Sequence, residues 1–123
     1  MMISIVDDDE AVRESTKTLV RSFGYNARAF ASAEEFLNSD LAATKCLILD
    51  VHMKGLSGID LQHRLIAEGR RTPIIFMTAF PDERIRRDAL DAGAIAFLSK
   101  PFSVDKLSSC IDSALATPGV AEK

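Results

Sequence analysis

The chain has 123 residues, 47% of them hydrophobic and 27% charged, which bounds it to one globular domain able to bury a core. Its formal net charge of -3 excludes nucleic-acid binding by this chain alone, since that requires a basic face. No apolar run approaches the ~20 residues of a membrane span, Met1-Met-Ile-Ser4 is unlike a signal peptide, and Cys46 and Cys110 are too few for a disulfide framework; the expected compartment is the cytoplasm.

Ile3-Ser-Ile-Val6 reads as a short buried strand ending on the acidic cluster Asp7-Asp8-Asp9. In the helix that follows, Val12, Leu19, Val20 and Phe23 recur at helical spacing, Ser15 and Thr16 complete the stripe, and Gly24 stops it. Asp9 and Glu10 complement the dipole at its start. Tyr25 to Phe30 alternates weakly, as an edge strand does. Ser32-Ala-Glu-Glu35 is a capping-box pattern opening a short helix through Phe36 and Leu37.

The apolar run Cys46-Leu-Ile-Leu49 ends on Asp50, and Val51 to Gly58 reads as a loop in which Gly55 and Gly58 supply backbone freedom. A third helix runs to about Glu68, burying Leu61, Leu65 and Ile66. Pro73-Ile-Ile-Phe-Met77 then leads to Thr78. The helix predicted over Asp82 to Ala92 has a thin apolar face of Ile85, Ala89 and Ala92, so it should be among the less anchored elements. Its Arg84, Arg86 and Arg87 form a solvated face or a docking face. Ile95-Ala-Phe-Leu-Ser99 leads to Lys100, and Ser103 caps a last helix with the core stripe Val104, Leu107, Ile111, Ala114 and Leu115. Residues 1–116 are expected to form the domain, and 117–123 a tail or the start of a linker.

Strands alternating with helices about five times signify a doubly wound α/β domain. Strands buried on both faces read as continuous apolar runs, and their carboxyl ends share the sheet edge where ligands bind. That edge should gather Asp7, Asp8, Asp50, Thr78 and Lys100. Neighbouring carboxylates repel unless a cation lies between them, and hard oxygen ligands suit Mg²⁺. Lys100 adds a point charge for a phosphoryl oxygen and Thr78 a hydroxyl. Metal and amine together would neutralise a phosphoryl group in transfer. A carboxylate nucleophile forms an acyl phosphate, and Asp50, alone at its strand end, is the candidate.

Two other classes fail on the same residues. A phosphatase of the haloacid-dehalogenase type needs a second Asp two residues after the nucleophile, and Asp50-Val-His52 lacks it. A flavodoxin-like cofactor binder needs a hydroxyl- and glycine-rich loop after the first strand, where three aspartates would repel a phosphate. His52 and His63, with no partner histidine nearby, are expected on the surface.

The set Val6-Asp-Asp8, Leu49-Asp50, Thr78-Ala79 and Lys100-Pro101 resembles, in order and spacing, the receiver domain of two-component response regulators, from Ile3 to about Leu115. Val6-Asp-Asp-Asp-Glu10, Ser57-Gly58 and Lys100-Pro-Phe102 are similar to receivers of the FixJ type. The resemblance implies a flavodoxin-like (CheY-like) fold, with five parallel strands in the order 2-1-3-4-5 and five helices. It implies that Asp50 accepts a phosphoryl group from a sensor histidine kinase. Asp8 and Asp50 would hold Mg²⁺ directly, Asp7 mainly through water, and His52 through its main-chain carbonyl. Thr78 would be the switch hydroxyl, Phe97 the aromatic switch residue, Lys100 the phosphate-binding lysine, and Lys100–Pro101 a cis peptide.

The implied protein is a signalling module that catalyses only its own phosphorylation and dephosphorylation. Its downstream partner or output domain would dock on the fourth helix, fifth strand and fifth helix, with a homodimer on phosphorylation as a further option. A standalone receiver is expected; the alternative is the amino-terminal regulatory part of a helix-turn-helix transcription factor. Two positions depart from the family. Met53-Lys-Gly55 replaces the common Met-Pro-Gly, which should loosen that loop, and the apolar Phe80 stands where a side chain influences hydrolysis.

Overall fold

The computed structural model describes residues 1–116; the expected tail, 117–123, lies outside the described residues. Each apolar run becomes a strand, and so does the weakly alternating segment at the edge: β1 (Met2–Val6), β2 (Asn26–Phe30), β3 (Thr44–Asp50), β4 (Ile74–Thr78) and β5 (Ala96–Ser99). Between and after them come α1 (Glu10–Ser22), α2 (Ala33–Leu37), α3 (Gly58–Ala67), α4 (Glu83–Asp91) and α5 (Val104–Ala116). A short 3₁₀ turn, Leu41–Ala43, precedes β3 and has no counterpart in the sequence reading.

All neighbouring strands are parallel, in the order β2-β1-β3-β4-β5. Both sheet faces are covered, which is why β3 and β4 are apolar almost throughout. Ile5, Ile48, Ile75 and Met77 pack with Val20 of α1 and Leu107 and Ile111 of α5. On the opposite face Val6, Leu49 and Phe76 pack with Phe36 of α2, Leu61 and Leu65 of α3, and Ala89 of α4. The register pairs Val6 with Leu49, Asp50 with Met77, and Thr78 with Ser99. The carboxyl ends of β1, β3, β4 and β5 are therefore level.

Several local expectations change. Ile66 is 49% exposed and Val104 51% exposed, so neither belongs to the core. Ile66 is about 100° around the helix from the buried Leu65, and Val104 sits in the first turn of α5. Ser32 Oγ does accept from the Glu35 N–H, but Glu35 Oε1 turns to the Ala31 N–H. The reciprocal capping box lies instead at Ser57 and Asp60, opening α3. Gly58 does not supply positive-φ freedom, whereas Gly55 does, at φ +76.

The fourth helix is as thinly anchored as its sequence suggests. Ala89 is its buried residue, and the arginines are exposed, Arg86 pairing with Glu83 at 3.1 Å. A tie that the sequence did not disclose comes from α3, where the buried Gln62 Nε2 donates to Ala89 O at 3.0 Å. Gln62→Ala is expected to destabilise the domain by about 1–3 kcal/mol, through a lost buried hydrogen bond and a small cavity. Native-state hydrogen exchange should quicken most in α4. Faster exchange spread over the domain, with α4 no more affected than the rest, would show that Gln62 does not tether it.

Candidate functional site

The level strand ends bring the predicted residues together. Asp7 follows β1 with no exposed surface, Asp50 ends β3 at 5% exposure, and Thr78 ends β4 fully buried. Lys100, just past β5, reaches across the edge: its Nζ lies 3.0 Å from Asp7 Oδ2 and 3.1 Å from Asp50 Oδ1. Asp8 is exposed, yet one carboxylate oxygen from each of Asp7, Asp8 and Asp50 lies within 4.8 Å of the others.

Each group is held from behind. The Asp9 N–H donates to Asp7 Oδ1 at 2.9 Å, and Arg13 Nη1 donates to the Asp7 carbonyl at 2.9 Å. The Lys54 N–H donates to Asp8 Oδ2 at 3.1 Å. Thr78 Oγ1 accepts the Phe80 N–H at 3.0 Å. Gly58 opens α3 directly behind Asp50, where a Cβ would lie 2.2 Å from the Asp50 carbonyl oxygen. A closely approaching backbone thus explains this glycine, and the only trace of it in the sequence is a glycine after a capping serine.

Burial pushes the Asp50 carboxyl up to about 6, the Asp7 charge adds to the rise, and Lys100 opposes it. Burial pulls Lys100 down, but its hydrogen bonds to Asp7 and Asp50 outweigh this and hold it above the ordinary lysine value. The ammonium is therefore charged at neutral pH and sits against two buried carboxylates, with a third alongside. That leaves an excess of negative charge ringed by oxygen donors. The donor set fits a hard divalent cation and an anionic oxygen beside the ammonium.

The remaining residues lie around this edge. Lys100–Pro101 is cis, as the resemblance implied. His52 and His63 are exposed, and the His52 ring meets Phe80 edge-on at 5.9 Å. Phe80 is 71% exposed. Phe97 is half-buried against Phe76, ring centres 6.0 Å apart, in the apolar cluster beneath α4. Sequence reasoning missed Lys54, whose contribution is a backbone amide, and Glu34 of α2, whose Oε2 accepts the Leu56 N–H at 3.2 Å.

The family model for the response regulator receiver domain matches residues 3–112. Response regulator protein TmoT of Ectopseudomonas mendocina is 45% identical over 115 residues, covering 93% of this chain and 52% of that protein. Transcriptional regulatory protein FixJ of Bradyrhizobium diazoefficiens is 37% identical over 122 residues, covering 98% of this chain and 60% of that protein. The solved structure of response regulator StyR superposes with a TM-score of 0.86 at 41% identity, covering 93% of this chain and 58% of that one. The chain thus spans a little over half the length of these relatives. In topology, in the residues at its strand ends and in its kinship, this chain belongs to the response-regulator receiver family, as a CheY-like signalling module akin to the FixJ type.

Proposed function

We propose that this receiver takes a phosphoryl group from a sensor histidine kinase onto Asp50 and thereby switches its affinity for a partner in the cytoplasm. The observation that best supports this is the Lys100 ammonium spanning Asp7 and Asp50 inside a trio of carboxylates. A carboxylate oxygen of Asp50 would attack the phosphorus of a phosphohistidine. The new P–O bond forms as the P–N bond breaks, and the imidazole leaves with the electron pair and takes up a proton. With a pKa near 6, Asp50 is mostly ionised at pH 7 and so carries the electron pair the attack needs.

Asp8 and Asp50 are the proposed direct ligands of Mg²⁺, with Asp7 acting through water and His52 through its main-chain carbonyl. The ion would offset the carboxylate charge and that of the phosphoryl oxygens. Lys100 would then face a phosphoryl oxygen as well as Asp7. Thr78, whose hydroxyl accepts the Phe80 N–H, would turn its own O–H to the phosphoryl group. That movement vacates space for Phe97 to turn inward from its half-buried position. A local charge thus biases a two-state element, as a switch requires. The face altered comprises α4, β5 and α5, where a downstream partner, an output domain or a second copy would dock. A second reading makes the same receiver the amino-terminal regulatory part of a helix-turn-helix transcription factor, supported by relatives named as regulators of which this chain covers 52% and 60%.

Acetyl phosphate or phosphoramidate with Mg²⁺ is expected to add one phosphoryl group, mapped by mass spectrometry to Asp50, and chelation of the metal should prevent it. Addition at another residue, or without metal, would sink the assignment. Beryllofluoride should move backbone NMR signals near Phe97 and Arg84–Arg87 as well as those at the pocket; shifts confined to the pocket would contradict the switch.

Once formed, the acyl phosphate is expected to hydrolyse slowly, because an in-line water needs a polar group within reach. Phe80 offers none, and its ring lies against His52. Phe80→Asn should shorten the phosphate lifetime by about threefold to tenfold, a small part of what a positioned polar group contributes. A lifetime equal to or longer than wild type would count against it.

A further inference from the structure

The loop joining β3 to α3 is pinned by two of its own amides. The Lys54 N–H donates to Asp8 Oδ2 at 3.1 Å, and the Leu56 N–H donates to Glu34 Oε2 at 3.2 Å. Between them Gly55 passes so close to α2 that a Cβ there would lie 2.8 Å from Glu34 Oε2. Met53-Lys-Gly55 lacks the stiffening proline, and these two bonds tie the loop to carboxylates on other segments.

The three carboxylates of the cluster differ in how they are held. Asp7 and Asp50 are buried and paired with Lys100. Asp8 is exposed, and among the described residues its side chain has one hydrogen bond, that from Lys54. An exposed side chain loses rotamer freedom when it joins a site, and a donor that orients it beforehand reduces that loss. An ionised carboxylate offers about four acceptor positions, so one N–H on Oδ2 leaves room for a cation. Proline has no N–H and could not make this bond. Residue 54 therefore acts on the cluster through its main chain.

We propose that the main-chain N–H of Lys54 is a positioning group for the metal site, holding Asp8 beside Asp7 and Asp50 before any ion arrives. Glu34 anchors the loop at Leu56 so that this amide stays in place. The inference rests on the reading of the three carboxylates as a Mg²⁺ site, and two measurements separate the failure of one from that of the other.

The first is a Mg²⁺ titration followed by backbone amide shifts, since the chain has no tryptophan to report binding. Lys54→Ala and Lys54→Pro both lose the ammonium, but only the second loses the N–H. Lys54→Pro is expected to bind Mg²⁺ about threefold to tenfold more weakly than Lys54→Ala, the range set by ordering one side chain. Equal or tighter binding by Lys54→Pro overturns the proposal. If the wild type binds no Mg²⁺ at all, this inference and the functional reading fall together. The second measurement needs neither metal nor a tolerated proline. In metal-free protein, the Lys54 amide should exchange with solvent at least about tenfold faster in Asp8→Ala than in wild type, as expected when a protecting hydrogen bond is removed. Unchanged exchange at Lys54 would show that Asp8 does not hold it.

Discussion

Asp50→Asn is expected to take up no phosphoryl group from acetyl phosphate and Mg²⁺, and to be more stable than wild type in metal-free buffer. The first effect follows because an amide is not the nucleophile that an ionised carboxylate is, and no other carboxylate of the cluster stands alone at a strand end. The second follows from the buried charge. Desolvation and the Asp7 charge raise the Asp50 carboxyl from 3.8 to about 6 in the folded protein. Between those values the unfolded chain has released a proton that the folded chain retains. Stability therefore falls as pH rises through the window from about 4 to about 6, and the full penalty is present above it.

Two pKa units correspond to about 3 kcal/mol. The loss of Lys100 as a partner is already contained in that figure, so a gain of up to about 3 kcal/mol at pH 7 is expected. For a domain of this size that raises Tm by several degrees, about 4 °C per kcal/mol. The variant should also lose much of the slope between pH 4 and 6. Mg²⁺ should stabilise the wild type more than the variant and so narrow the gap. Thermal melts with EDTA and with Mg²⁺, beside intact-mass analysis, read both effects. Persistent labelling of the variant, or a wild type that is the more stable in EDTA at pH 7, would each refute the corresponding half.

Gly58→Ala is expected to be among the most damaging single substitutions in the domain. The new Cβ would lie 2.2 Å from Asp50 O and 3.1 Å from both Asp50 C and Val51 Cα. All three are backbone atoms, so no side-chain rotation relieves the contact. The Gly58 N–H also donates to Val51 O at 2.9 Å, which fixes the start of α3 against the end of β3. Gly58 has no positive φ, and alanine is the better helix former by about 1 kcal/mol; the clash is therefore separable from any backbone preference. A loss of about 3 kcal/mol or more is expected, at the upper end of overpacking penalties. Where the variant still folds, the displaced Asp50 should be labelled about tenfold to a hundredfold more slowly, as small misplacements of reacting groups are. Denaturant unfolding and a labelling time course measure the two. A variant near wild-type stability would mean that α3 moves away from Asp50 at little cost.

The order of chemistry along this chain is legible in the sequence alone. Cys46 to Leu49 and Pro73 to Met77 are apolar because both faces of their sheet are covered, and a parallel sheet places everything that follows its strands on one edge. Asp7, Asp50, Thr78 and Lys100 were bound to meet there once the alternation of strand and helix was recognised. The thin face of α4 and the Ser103 cap were equally visible, since both depend on neighbours within a few residues.

What only the tertiary structure decided concerns contacts between segments distant in sequence. The Lys100 ammonium bridging Asp7 and Asp50, and the raised Asp50 carboxyl, depend on register and burial that no spacing encodes. Gly58 looked like a flexible loop residue because a glycine required for close approach and one required for positive φ are the same letter. Ile66 and Val104 looked like core because helical periodicity gives a stripe but not its edges, and those edges are set by which neighbour lies alongside. The Lys54 N–H on Asp8 was hidden for a further reason. It is a main-chain donor that every residue except proline possesses, so its use is determined by where the loop is held and not by the side chain written at that position.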